Sequence, residues 1–333
     1  MEGYMKAFLM NIKKNENDIK LFRLIVAMLT IFIVLVIVLP DKFLTLNNLK
    51  SMAFQFPEIG IYALAMMLAM MSGGIDLSIV GIGNLSSIVA VFTMTRVLNP
   101  ETTSLNIYLV MIIAVIIGLL TGVLCGVLNG ILITKIGIIP ILTTLGTMQI
   151  FTGLATGLTK GSAVFGLPEQ YAVIGNGYIW IFPIPLVIFT FMALLVTFVL
   201  KTQALGFNLK LYGTNAKAAN FSGIRNDLVV IKTYALGGFL AAVSGLTIVG
   251  RTVSAKADYG NSYTLMALLI VILGGVLPEG GFGKVKGVFF AVITLQIISS
   301  GYNLLRFDQY FKNFSFGLLV VVLMIMNYRL SRK

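Results

Sequence analysis

Residues 102–134 read TTSLNIYLVMIIAVIIGLLTGVLCGVLNGILIT, without one Asp, Glu, Lys or Arg. A helix of about 20 apolar residues crosses the hydrocarbon core of a bilayer. This stretch is long enough to cross and to carry polar flanks. Nine further charge-free runs accompany it, at 24–40, 59–75, 77–95, 136–159, 170–200, 233–250, 259–278, 287–305 and 313–328. The second run starts earlier, near Met52, and tolerates Glu58 close to its outer end. The two longest runs each read as one helix. The sequence therefore predicts an all-α polytopic membrane protein with about ten transmembrane helices.

Composition agrees. Of 333 residues, 58% are hydrophobic and 11% charged, and the mean hydropathy is +0.98. Soluble domains run near 25% charged, so an ordinary soluble enzyme, a disordered chain and a disulfide scaffold are excluded. Lys and Arg number 24 against 12 Asp and Glu. With no soluble basic domain, this excess speaks for inner loops at an anionic lipid surface and not for nucleic acid. An even number of spans puts both ends on one side. With the N-terminus inside, 16 of the 24 cations fall on inner segments, so the bias supports an N-in, C-in topology. The expected organisation is a single transmembrane domain over 1–333, with an inner N-terminal segment at 1–20 and an inner loop at 201–232. No cleavage site follows the first run, so it reads as a retained signal-anchor. The longest outer connections, at 160–178 and 251–262, are short, and no segment is large enough for a soluble motor or receptor.

Little catalytic chemistry is available. There is no histidine, which removes His-based triads and the commonest zinc sites. Cys125 is the only cysteine and reads as a small packing residue. No metal or cofactor site is expected. A phosphate loop needs Gly-x4-Gly-Lys-Ser/Thr, and the nearest stretch, 278–285, has Pro278 and Val285 at the two ends. Ion-coupled carriers place ionisable groups within the membrane, and of the charges at run ends Glu58 and Asp76 are the best placed for that. Polar residues inside the runs are uncharged: Asn84, Ser86, Ser87, Asn129, Thr143, Thr144, Thr147, Gln149, Thr152, Thr294, Gln296, Ser299 and Asn303. They suit a pathway for a neutral polyol, and equally interhelical hydrogen bonds. Asn84, Thr143, Thr144, Gln149 and Asn303 are the pathway candidates.

Glycine patterns divide into two kinds. Gly118, Gly122, Gly126 and Gly130 recur every fourth residue and let a second backbone approach closely. Packing within one subunit is the more general use, a pathway or subunit interface the other. Elsewhere glycines mark breaks, at Gly73 and Gly74 beside Asp76 and at Gly274 and Gly275 before Pro278. Broken backbone at membrane depth points to a translocation site. The topology favours loops at the inner surface instead, with Asp76 or Ser78 capping the following helix. In the inner loop, 215–222 is alanine-rich, fit for a short helix, and bounded by Gly213 and Gly223.

These motifs reach a family. Gly73-Gly-Ile-Asp-Leu-Ser78 resembles a signature of ribose-type ABC importer permeases. Gly126-Val-Leu-Asn-Gly130 and Ile139-Pro-Ile-Leu-Thr-Thr-Leu-Gly-Thr147 resemble the next two. Tyr212-Gly-Thr-Asn-Ala-Lys-Ala-Ala219 with Ser222-Gly-Ile224 resembles the cytoplasmic coupling segment. Gly274 and Gly275 with Gly280-Gly-Phe-Gly283 and Gly287 resemble the last Gly-rich signature. The chain departs from the pattern at Ile79-Val80-Gly81 and at Val276-Leu-Pro-Glu279. The resemblance implies a bacterial inner-membrane permease subunit, forming the pathway with a second, identical or paralogous subunit. An extracytoplasmic binding protein delivers a sugar and separate cytoplasmic ATPases supply the energy. Ribose-like, hexose and autoinducer-2-like cargoes are all within the family. Coupling to the ATPase is then expected at Gly213, Asn215, Ala218, Ala219, Ser222 and Gly223. An ion-coupled carrier or a passive facilitator for a small neutral polyol is the alternative.

Overall fold

The computed structural model describes residues 21–98 and 104–331; the inner N-terminal segment expected at 1–20 lies outside them. The helices in chain order are α1 (Leu21–Val38), α2 (Pro40–Phe43), α3 (Leu46–Met71), α4 (Ile79–Val97), α5 (Ser104–Ile131), α6 (Pro140–Thr159) and α7 (Glu169–Asn176), then α8 (Ile184–Thr202), α9 (Ala204–Thr214), α10 (Ala216–Phe221), α11 (Asn226–Thr252), α12 (Tyr263–Leu273), α13 (Val285–Leu304) and α14 (Gln309–Ser331). A π-helical turn, Leu132–Ile136, ends α5. The strands β1 (Tyr178–Ile179) and β2 (Phe182–Pro183) form a short antiparallel hairpin. Among the described residues, eight helices are long and apolar enough to cross a membrane; α12 and the segment Gln309–Ile325 are shorter apolar helices. The chain is an all-α polytopic membrane protein.

Two runs fold differently from the sequence reading. Run 170–200 is not one helix. Gly177 and Pro183 interrupt it, leaving the short α7, the hairpin and one spanning helix, α8. The hairpin tip, with Trp180 93% exposed, is the amphipathic aromatic type found at headgroup level. Run 259–278 is helical only over α12. Eleven residues span about 16 Å, roughly half the hydrocarbon core. The helix stops at Gly274 and Gly275, the latter with φ 80°.

Burial sorts the helices. In α3 78% of the spanning stretch is buried, in α1 only 6%. α3, α4, α11 and α13 are the most buried spans, and α5, only 22% buried, packs one face on them. α1, α8 and α14 present Leu29, Ile33, Ile37, Phe191, Phe198, Leu318 and Val321 outward, as lipid-facing helices must. The centre closes through glycines. A Cβ on Gly126 would overlap the Tyr234 carbonyl, one on Gly122 would lie 2.6 Å from Ala242 Cβ, and one on Gly118 3.0 Å from the Ser86 carbonyl oxygen. The four-glycine stripe of α5 thus packs on α11 and α4 inside one subunit. Gly83 and Gly245 repeat the device between α4 and α11. Cys125 is buried and free, as a packing residue.

Candidate functional site

At the end of the bundle that the charge bias assigns to the inner side, three glycine segments distant in sequence meet. The N–H of Gly281 donates to the Met71 carbonyl at 2.9 Å. A Cβ on Gly280 would lie 2.8 Å from the Gly213 carbonyl oxygen and 2.9 Å from the Gly73 nitrogen, and one on Gly213 would overlap Met71 O and Gly281 N. Gly73, Gly280 and Gly281 have φ of 78°, 93° and 79°, the left-handed region where a side chain is strained. The end of α3, the end of α9 and the α12–α13 connection therefore touch backbone to backbone.

The break after α3 is pinned by polar side chains. Asp76, 1% exposed, accepts from the Ser78 N–H at 2.9 Å and from Ser78 Oγ at 2.6 Å. Asn129 Nδ2 of α5 donates to Ser78 Oγ at 2.8 Å, and Thr144 Oγ1 of α6 donates to the Ile75 carbonyl at 2.9 Å. Ser78 is the residue before α4 but makes no side-chain cap bond into the helix. Asp76 closes an Asx turn on Ser78. A Cβ on Gly74 would lie 2.7 Å from both Pro140 Cβ and Tyr234 Oη. Gly274 faces Gly287 and Val288 in the same way, closing α12 onto α13.

From this junction α9 leads to α10. Asn215 Oδ1 caps α10 by accepting from the Ala218 N–H at 3.0 Å. Ser222 Oγ donates to the Ala218 carbonyl at 3.0 Å, and Gly223, φ 79°, turns the chain into α11. Ala219 is 2% exposed and faces the protein, whereas Ala218 and Ser222 face out. Phe221, which sequence reasoning missed, is 92% exposed at the end of α10. An aromatic at the free end of a Gly-bounded alanine segment was its only signal. Near the same end, Lys135 and Asp227 form an ion pair.

The five pathway candidates do not gather. Asn84 is 3% exposed, and its amide donates to the carbonyls of Ala257 and Tyr259, both at 2.9 Å. Thr143 and Thr144 are buried against neighbouring backbone. Gln149 is exposed on the open face of α6, between Gly146 and Gly153. Asn303 is exposed at the far end of α13, where Lys312 donates to its Oδ1.

Glu58 is paired. Arg251 holds it by Nε to Oε1 at 2.6 Å and Nη2 to Oε2 at 3.0 Å, and Ser244 Oγ donates to the Glu58 carbonyl at 2.7 Å. Glu58 is fully buried and the Arg251 side chain 30% exposed. The C-terminal carbonyls of α11 are capped from α7, where Asn176 Nδ2 reaches Gly250 and Arg251 at 3.1 and 3.2 Å. Among the described residues no three His, Cys, Asp or Glu side chains are grouped to hold a metal.

The family described as branched-chain amino acid transport system / permease component matches residues 48–323. The chain is 31% identical to the ribose import permease protein of Bacillus subtilis over 305 residues, 91% of each chain. It is 26% identical to the ribose import permease protein of Haemophilus influenzae over 92% of each chain. It is 30% identical to an autoinducer 2 import system permease protein of Yersinia enterocolitica, over 86% of this chain and 85% of that one. No solved structure matches the chain. The chain belongs to the permease family of ABC importers, of the ribose type, and is a multi-pass inner-membrane transport subunit rather than an enzyme.

Proposed function

We propose that the chain, paired with a second permease subunit, carries a monosaccharide or related small polyol. An extracytoplasmic binding protein hands over the cargo, and a cytoplasmic ABC ATPase supplies the energy through α10. Ribose-like pentoses lead as cargo because two of the relatives carry ribose in their names, with hexoses and autoinducer-2-like sugars next.

One observation carries the coupling: the backbone junction between α9, the end of α3 and the α12–α13 connection. A push on α10 passes through capped, short helices with little slack. It arrives where α3 ends and where α12 turns into α13, and biasing those helices between two arrangements is what alternating access requires. Ala218 and Phe221 of α10, with Ser222 just after it, are exposed and form the docking face. Asn215, Ala219, Gly213 and Gly223 hold its shape.

An ion-coupled carrier would need a membrane carboxylate free to exchange a proton or cation. Glu58 is paired with arginine and Asp76 is held in a turn by Ser78, which speaks against that role, most strongly for Glu58. The test is gentle purification from native membranes. A stoichiometric P-loop ATPase is expected to accompany the permease. Its reproducible absence from active permease would sink the reading.

A further inference from the structure

Among the described spans α1 packs least, and it does not close fully on its neighbour α13. Leu35 packs on Gly301, where a Cβ would lie 2.8 Å from Leu35 Cδ2. Beside that contact the two helices leave a cleft of 230 Å³, lined by Ile31 and Val34 of α1 and by Ile298, Gly301 and Leu305 near the end of α13. Its surface is apolar. The hydroxyl of its α1 wall, on Thr30, is spent on the Val26 carbonyl at 2.9 Å. With the N-terminus inside, both helices run outward. From Ile298 to Leu305 the cleft follows α13 for about 10 Å at 1.5 Å per residue, and it stops where α13 stops. It therefore lies in the outer half of the hydrocarbon core, which is about 15 Å deep. Arg306 stands at its outer end, next after Leu305. Arg306 is exposed and forms no ion pair among the described residues. Asp308 accepts instead from the Phe311 N–H at 2.6 Å, and Lys312 donates to Asn303.

Water does not fill such a space: an apolar cavity of about 150 Å³ stays dry and takes a six-carbon ring. A helix, about 10–12 Å across, is too wide for it. A hydrocarbon chain entering from the outer leaflet has the right width and reach, and its phosphate then lies at the level of Arg306. We propose that the cleft between α1 and α13 seats one acyl chain of an outer-leaflet phospholipid whose phosphate binds Arg306. In the cleft the chain gains van der Waals contact, but bulk lipid tails offer much the same. The guanidinium, planar and suited to paired hydrogen bonds with a phosphate, is what makes one lipid stay. That lipid ties the sparsely packed α1 to the bundle.

The test is native mass spectrometry of the complete importer, stripped of loosely held lipid in detergent and titrated with dioleoylphosphatidylglycerol. Val34→Trp fills the cleft from an exposed position, and Arg306→Gln removes the charge. Leu194→Trp adds the same ring on the lipid-facing side of α8. The unaltered importer should hold one phosphatidylglycerol per copy of this chain. Occupancy should fall about tenfold in Val34→Trp and in Arg306→Gln, the scale of a lost hydrogen bond to a charged group, and stay unchanged in Leu194→Trp. Equal occupancy in all four proteins would overturn the site. So would loss in only one of the two cleft variants, because cleft and arginine must hold the same molecule. No retained lipid in the unaltered importer would also overturn it and leave the cleft to side chains of another subunit. Size-exclusion profiles matching the unaltered importer establish that the variants assemble. Should Val34→Trp not assemble, Val34→Phe takes its place.

Discussion

Phe221→Asp is expected to strip the ATPase from the permease while leaving the amount of permease in the membrane unchanged. Phe221 is the last residue of α10 and 92% exposed, so its removal takes nothing from the core. Burying a phenylalanine is worth about 1.5–3 kcal/mol. An aromatic anchor seated in a partner's groove costs about 2 kcal/mol or more when truncated, close to a 30-fold loss of occupancy. A carboxylate there adds desolvation of a charge. Phe221→Leu should keep most of the ATPase, because an apolar knob remains. Ala219→Lys should behave differently. Ala219 backs onto the protein, so the lysine disturbs the loop itself and lowers the amount of folded permease. The readout is the ratio of ATPase to permease after purification. An unchanged ratio in Phe221→Asp would move the docking face off α10.

The Glu58–Arg251 pair gives the largest expected effect on stability. Removing one partner of a buried ion pair costs roughly 3–5 kcal/mol, because the other charge is left uncompensated. Arg251→Met should therefore lower the unfolding temperature in detergent by several degrees. Glu58→Gln should cost less, since Arg251 keeps some exposure to solvent and glutamine can still accept from it. The double variant Glu58→Met with Arg251→Met should recover most of the loss, as apolar replacement of a whole pair is often neutral. Equal unfolding temperatures for Arg251→Met and the unaltered chain would show that the pair does not tie α3 to α11.

The membrane architecture was legible because a bilayer demands length and apolarity, and both are written along the chain. The glycine breaks were legible too, as was the alanine-rich segment between Gly213 and Gly223. What spacing does not carry is who meets whom. Gly73 was visible as a break, Gly213 as the edge of the alanine-rich segment and Gly281 as part of a Gly-rich signature, but their backbone junction depends on three segments meeting at one level. Glu58 finds Arg251 at the far end of α11, a pairing no local pattern announces. Asn84 was read as a pathway polar group, and its two donors are spent on the carbonyls of a segment more than 170 positions later. Run 259–278 looked long enough to span because Tyr259 and the residues after it are uncharged. The hydrogen bonds to Asn84 hold its first residues out of helix, and Gly274 and Gly275 end α12 early. Apolarity alone does not distinguish a whole helix from half a helix approached through turns.

This chain is expected to move its cargo only on energy delivered by a separate ATPase. The direct measurement is D-ribose uptake into liposomes holding the permease pair, with and without the ATPase, binding protein and ATP, in the presence of a protonophore. Accumulation should need all three additions and ignore the protonophore. Accumulation by the permease alone, collapsed by the protonophore, would contradict it.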